Sequence, residues 1–248
     1  MNRCLLVTGG GRGIGAEVSR KAVQLGYSVC INYLKNKTSA ENLVDELNSK
    51  GNRAFVCQAD VSKEEEVVGL FERFEEQFGV PDALANNAGV LDLQTRVDQM
   101  SAERIQGIFS VNVTGSFLCA REAVKRMSTR YGGKGGSIVN LSSGAAKYGS
   151  PGEYVDYAAS KAAVDTLTTG LAREVAEEGI RVNAVRPGFI ETEIHAAGGE
   201  PNRMERVRPM VPMKRVGKPR EVADAVLWLL SDEASYITGT ILDVSGGR

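Results

Sequence analysis

The chain's 248 residues suffice for one large α/β domain or two small ones, and thirty basic against thirty-one acidic side chains leave a net charge of -1. With no long run of either sign, nucleic-acid and membrane-surface roles have no electrostatic support, and small molecules are the expected partners. No apolar stretch reaches the roughly 18 residues of a membrane span, and Arg3 to Val7 is too short for a signal peptide, so a cytoplasmic protein is expected. Cys4, Cys30, Cys57 and Cys119 form no Cys-x-x-Cys pair, which points to small buried residues of a reduced protein and away from metal or dithiol chemistry.

Short β-rich runs alternate with longer segments of helical period. Cys4 to Thr8 reads as a strand, followed by a helix carrying Ile14, Val18, Ala22 and Leu25 on one face. Val29 to Tyr33 and Ala54 to Gln58 read as strands, each followed by a helix, Ser39 to Ser49 and Glu64 to Phe78. Ala83 to Asn86 and Ser137 to Leu141 look like buried strands on either side of one long helix, Ala102 to Arg130, with Val113, Phe117, Ala120 and Val124 in register. Tyr154 to Glu178, Val182 to Val185, Glu221 to Leu230 and Ile241 to Val244 supply a helix, a strand, a helix and a strand. This alternation predicts a Rossmann-type α/β fold, a doubly wound parallel sheet of about seven strands with helices on both faces and right-handed crossovers. Residues 1–248 are expected to form one domain, with the aperiodic stretch 190–218 as a substrate lid.

Thr8-Gly9-Gly10-Gly11-Arg12-Gly13-Ile14-Gly15 lies between the first strand and the first helix, where glycines allow a tight turn and a helix N-terminus can hold a pyrophosphate. An NAD site places an acidic residue about 20 positions on, at the end of the second strand. Here that place holds Asn32, Tyr33 and Leu34, so no carboxylate repels a 2'-phosphate, and Arg12 and Lys35 could bind one. The pattern favours NADP over NAD. Tyr157 and Lys161, at helical i, i+4 spacing, put a phenol beside an ammonium that would lower its pKa, the makings of a general acid/base. Tyr33 and Lys37 share that spacing, so only context separates the two pairs.

The ordered set Thr8-Gly-x-x-x-Gly13-x-Gly15, Asn86-Asn87-Ala88-Gly89, Asn112, Ser142-Ser143, Tyr157-x-x-x-Lys161 and Pro187-Gly188 resembles the short-chain dehydrogenase/reductase family in its compact single-domain branch, over Leu5 to Gly247. The likeness is to members such as NADP-dependent sugar dehydrogenases and ketoacyl reductases. It implies a catalytic set in which Tyr157 exchanges the proton, Lys161 lowers its pKa and binds the nicotinamide ribose, Ser143 holds the carbonyl, and Asn112 holds a water of a proton relay. Asn112 also reads as a polar residue repairing backbone hydrogen bonds at a helix break. Ser143 is preferred to Ser142 as the second of the pair, although it lies 14 residues before Tyr157 where 13 is common. The same resemblance implies cofactor contacts from Gly9, Arg12, Gly13, Ile14 and Gly15, from Tyr33 and Lys35, from Asp60 and Val61, and from Asn86, Ala88 and Gly89. It adds Pro187, Gly188, Ile190 and Thr192 along the nicotinamide, and leaves Asn87 structural.

The implied reaction interconverts a ketone or aldehyde and an alcohol by hydride transfer. Two alternatives stand beside it. One is an NADP-binding regulator without turnover. The other is a 3-oxoacyl thioester reductase, for which Arg203, Arg206, Arg208 and Lys214 could form a basic docking surface. His195, the only histidine, reads as an ordinary lid residue. Family members commonly form homotetramers on the two long helices and the last strand.

Overall fold

The structure, a computed structural model, describes residues 3–51, 53–192, 200 and 203–248. Seven strands, β1 (Cys4–Val7), β2 (Ser28–Tyr33), β3 (Ala54–Gln58), β4 (Ala83–Asn86), β5 (Gly136–Leu141), β6 (Ile180–Pro187) and β7 (Ile241–Val244), form one sheet in the order β3-β2-β1-β4-β5-β6-β7. Every pairing is parallel. The chain runs outward from β1 to β3, then returns to the other side of β1 with β4. That reversal opens a crevice beyond the carboxyl ends of β1 and β4.

The period of two along each strand divides the core between the faces. Leu5 and Val7 of β1 join a cluster with Val18 and Ala22 of α1 (Gly13–Gln24), Leu43 of α2 (Lys37–Asn48) and Val226 of the helix Pro219–Leu230. Cys4 and Leu6 point the other way, toward Phe71 and Phe74 of α3 (Glu64–Phe78) and Met127. Sequential βα units make both coverings inevitable, because each buried strand carries apolar side chains on both sides. All four cysteines are buried and free.

The single long helix expected over 102–130 is interrupted. It comprises α4 (Ala102–Phe109), a π-helical turn at Ser110–Thr114 and α5 (Gly115–Met127), followed by a 3-10 turn at Thr129–Tyr131. A π turn inserts one residue into the helical repeat and so rotates everything downstream. Phe117, expected on the core face, is therefore half exposed, and Cys119, Ala120, Ala123 and Met127 are buried in its stead. Leu25 is a second correction. It caps the C-terminus of α1 and is exposed, since the helix ends one residue before it. α6 (Ala145–Tyr148) and the helix Arg203–Val207 were too short for periodicity to reveal, and α7 (Val155–Val175) ends in a 3-10 turn at Ala176–Glu178. The lid expected at 190–218 falls partly outside the described residues, as does His195. In the described part, Ile190 pairs with Gly217, so the two ends of this stretch meet.

Phe71 and Phe74 are fully buried on one face of α3. Replacing Phe74 with Ala should lower unfolding stability by about 3 to 5 kcal/mol, the usual cost of emptying an aromatic-sized core site, read as a lower midpoint in urea denaturation.

Candidate active site

The carboxyl ends of β1, β4, β5 and β6 deliver four segments to one rim. Backbone bonds hold these segments in register, with Thr8 N donating to Ala85 O, Ser142 N to Val185 O, Gly144 N to Pro187 O and Gly188 N to Val244 O. Behind them runs a buried ladder of polar side chains. Thr8 Oγ1 receives the backbone N–H groups of Asn87 and Ala88, both at 2.9 Å, and itself reaches Asn86 Oδ1. Asn86 Nδ2 donates to Ser116 O and to Asn140 Oδ1, and Asn140 Nδ2 donates to Thr168 Oγ1 on α7. Asn87, read as structural, ties the same turn to Thr8 O and Gly9 O.

The glycine-rich turn fits a dinucleotide pyrophosphate. Gly9 and Gly13 adopt positive φ of 60° and 53°, and a Cβ at Gly15 would lie 2.5 Å from Gly9 O. α1 then begins at Gly13 with no side-chain cap and no acidic residue in its first turn, so its leading N–H groups and its positive dipole end are left to a ligand, in a recess that Glu17 and Glu191 also line. Asn32 is a residue whose part in this turn the sequence did not disclose. It is buried at the end of β2, accepts from Gly9 N and donates to Ala59 O, so it binds the turn to β2 and β3 instead of meeting a ligand. Tyr33 is buried beside it, and Lys35 stands exposed before Asn36, which caps α2. Arg12 is exposed and lines a recess that also includes Ser39 and Thr192.

Asp60 and Val61, expected at an adenine end, lie just beyond β3. The Asp60 carboxylate accepts from Ser62 N and Oγ, while Val61 packs on Gly115, where a Cβ would come within 2.9 Å of its Cγ2. At the other end, Ile14, Gly89, Pro187, Gly188, Ile190 and Thr192 line a cleft of about 360 Å³, together with Ser143, Tyr157 and Lys161. Ala88 and Asn86 lie just behind that wall, Asn86 being wholly engaged in the ladder. Of the sequence-predicted residues, nine line this cleft, Arg12, Gly13 and Thr192 line the recess beside it, and Tyr33, Lys35, Asp60, Val61 and Asn112 line neither.

The reacting groups come from three elements. Tyr157 and Lys161 stand one turn apart on α7, and Ser143 follows β5 and lines the same cleft as the tyrosine. The Ser143 hydroxyl is itself oriented by accepting from Ala145 N at 3.1 Å. Lys161 is buried, donates to Leu141 O at 2.7 Å, and lies 5.8 Å from the centroid of the Tyr157 ring. Asn112 sits in the π turn. Its amide accepts from Val90 N and donates to Val90 O and to Ser160 Oγ, which restores backbone hydrogen bonding beside the helix break. Gly89 is where Lys161 and Asn112 converge, since a Cβ there would lie 3.2 Å from Lys161 Nζ and 3.4 Å from Asn112 Oδ1. Ser160 was missed in the sequence because it reads as filler between Tyr157 and Lys161.

The electrostatics differ from the simple expectation. Burial pushes the Tyr157 phenol up, and the Ser143 hydroxyl draws it partly back, with Lys161 not among the causes. The ammonium is instead directed at Leu141 O and is itself disfavoured, since burial lowers Lys161 to about 8 against a slight opposing pull from Asp165.

Comparison with known proteins agrees with this geometry. Residues 9–248 match the family model described as Enoyl-(Acyl carrier protein) reductase. The chain belongs to the short-chain dehydrogenase/reductase family. It is 55% identical to "Uncharacterized oxidoreductase YgfF" of Escherichia coli (strain K12), covering 98% of each chain. It is 37% identical to the 3-oxoacyl-[acyl-carrier-protein] reductase FabG of Staphylococcus epidermidis, covering 100% of this chain and 99% of that one. The crystal structure of gox2181 superposes with a TM-score of 0.92 at 33% identity, covering 99% of this chain and 95% of that chain. The protein is accordingly an oxidoreductase acting on carbonyl or CH–OH groups, of a family that uses nicotinamide dinucleotides. A binding-only regulator is thereby set aside.

Lys161 supplies a stability test. Its folded pKa of about 8 lies below the ordinary lysine value of 10.5, so the folded state resists its charge. That penalty is fully present below pH 8 and fades as pH rises toward the unfolded value. Lys161→Met should therefore be more stable than wild type at pH 7, by on the order of 2 kcal/mol, and its advantage should shrink in urea melts near pH 10. An advantage independent of pH would show that the ammonium carries no such cost.

Proposed function

We propose that the protein is an NADP(H)-dependent carbonyl reductase or alcohol dehydrogenase in which Tyr157 is the general acid/base. The observation that carries this reading is the convergence of Tyr157, Ser143 and Lys161 on one cleft beside Gly89, with Asn112 buried behind that glycine. Gly9, Gly13, Gly15 and the N-terminus of α1 would hold the pyrophosphate, Asp60 and Val61 the adenine, and Pro187 to Thr192 the nicotinamide end. A reduced nicotinamide held there would supply the hydride that the carbonyl carbon takes up. Tyr157 donates its proton to the carbonyl oxygen, and the product is the alcohol; the oxidation runs the same transfers backward. Ser143 orients that oxygen toward the phenol. Lys161 faces the Tyr157 ring and would bind the nicotinamide ribose, its ammonium, lowered to about 8 by burial, being held in place by Leu141 O. Asn112 and Ser160 tie the π turn to the start of α7.

NADP is preferred on two grounds. The end of β2 presents no carboxylate, because Asn32 turns inward and Tyr33 is buried, and Arg12 stands at the rim beside the recess of Ser39. A second reading, reduction of a 3-oxoacyl thioester, is supported by the relative of that name. Its expected basic docking surface is weaker than the sequence suggested, since Arg203 is buried and Arg206 is paired with Glu153 and Glu200. Homotetrameric assembly and a cytoplasmic location belong to the same proposal. The half-exposed Phe117 on α5 and the edge strand β7 are surfaces suited to subunit contact.

Tyr157→Phe should lower kcat by at least about a hundredfold while leaving NADPH affinity nearly unchanged, measured by steady-state assay and fluorescence titration. Wild-type turnover in that variant would eliminate the proposed acid. Preference for NADPH over NADH should shrink in Arg12→Ala and in Lys35→Ala by about 1.5 to 3 kcal/mol for each well-formed phosphate contact, read from the two dissociation constants. Equal affinities in the wild type would refute the NADP assignment.

A further inference from the structure

Ser143 lies 14 residues before Tyr157 where 13 is common in the family, and the extra residue falls in a connection made of turns. Between α6 and α7, Gly149, Ser150 and Gly152 take positive φ of 74°, 43° and 73°. Tyr157 then stands in the first turn of α7, where N–H groups have no intrahelical acceptor, and the cap residue Tyr154 makes no side-chain capping bond. The distance from Ser143 to this turn has to be set by contacts outside the connection.

Arg104 and Asp156 make such contacts. The Asp156 carboxylate accepts from Tyr157 N at 2.9 Å, giving that first-turn donor its acceptor. Arg104 donates to the same carboxylate, from Nε to Oδ2 at 2.7 Å and from Nη2 to Oδ1 at 3.4 Å, and its Nη1 donates to Leu93 O at 2.5 Å. Arg104 is itself fixed at the capped start of α4, where Ser101 Oγ accepts from its backbone N–H. The two side chains are 11% and 2% exposed, so the ion pair is held largely out of water.

One guanidinium therefore joins three pieces: α4, the segment that leaves Gly89 and puts Leu91 on the cleft, and the turn that carries Tyr157. The segment is tied to the start of α7 a second time, by Thr95 N donating to Glu153 O at 3.0 Å, and Asn112 holds its beginning through Val90. Neither Arg104 nor Asp156 lines the cleft. A buried ion pair is a weak source of stability, since apolar side chains of similar volume often serve as well. Its directional bonds supply position instead, and a misplacement of about 1 Å can cost on the order of a hundredfold in rate.

We propose that Arg104 and Asp156 are positioning residues, whose ion pair sets Tyr157 at its working distance from Ser143 in place of the lengthened connection. The inference rests on the carbonyl-reductase reading and adds two residues that act through Tyr157.

The test follows single-turnover NADPH oxidation by the full chain with cyclohexanone, 2-hexanone and benzaldehyde, with rates counted per NADPH-binding site. In the double variant Arg104→Met/Asp156→Asn no buried charge is left bare and the new amide can still accept from Tyr157 N, so what is lost is the tie to α4 and Leu93. It should melt close to the wild-type temperature and keep NADPH affinity and carbonyl KM within about twofold, yet oxidise NADPH at least about tenfold more slowly. Arg104→Lys should fall between the double variant and wild type, because an ammonium preserves the charge and part of the bonding. A wild-type rate in the folded double variant, or a loss confined to KM or to NADPH binding, would overturn the positioning role and leave the reductase reading standing. Should the double variant not fold, wild-type rates in both Arg104→Lys and Asp156→Asn would overturn it equally, and a lowered rate with unchanged KM in either would support it. Failure of the wild type to turn over these compounds and a wider carbonyl panel, with NADPH bound, would count against the reductase reading and this inference together.

Discussion

The active site depends on a buried chain of amides and hydroxyls that crosses the sheet at the carboxyl ends of its central strands. Thr8, Asn86, Asn140 and Thr168 satisfy one another across β1, β4, β5 and α7. Each is almost entirely out of water, so breaking one link would strand the next polar group without a partner. Hydrophobic packing alone would tolerate small slips between strands and helices. Directional bonds do not, and they set where the Gly9 turn, the Ala88–Gly89 segment and α7 meet.

The same economy explains the interrupted helix. A regular helix from Ala102 to Met127 would bury its polar groups in its own backbone ladder. The π turn at Ser110–Thr114 displaces Asn112 into the interior, where it joins the Val90 backbone to Ser160 on α7. Local irregularity is thereby converted into a strut between two elements that carry reacting groups. Lys161 is the opposite bargain, a buried cation that donates to Leu141 O and whose charge is resisted by its surroundings. Such a cost is retained where chemistry needs it.

The far wall of the cleft differs in make-up from the glycine-rich rim. The rim uses backbone N–H groups and glycines, which suit a group common to a whole family of enzymes. The wall uses arginines and rings from Tyr148, Tyr154, Phe189 and the helix Arg203–Val207, segments that lie outside the ordered motifs. Specificity can thus vary there without disturbing the proton-transfer groups.

From the chain alone, the alternation of β-rich and helical segments determined the seven-stranded parallel sheet, and the order of motifs determined the family and the rim residues, because periodicity and turn chemistry are local properties. Tyr157 was separable from Tyr33 only by context. What the tertiary structure alone decided were long-range matters: the inward turn of Asn32, the link from Asn112 to Ser160, the π turn that moved Phe117 to the surface, and the pairing of Lys161 with Leu141 O instead of a direct pull on the tyrosine. Arg203 read in sequence as part of a basic docking surface, since an arginine's spelling is the same whether water or a ring lies against it. Its burial against Tyr154 and Phe189 depends on which distant segments fold over it, and no local pattern encodes that.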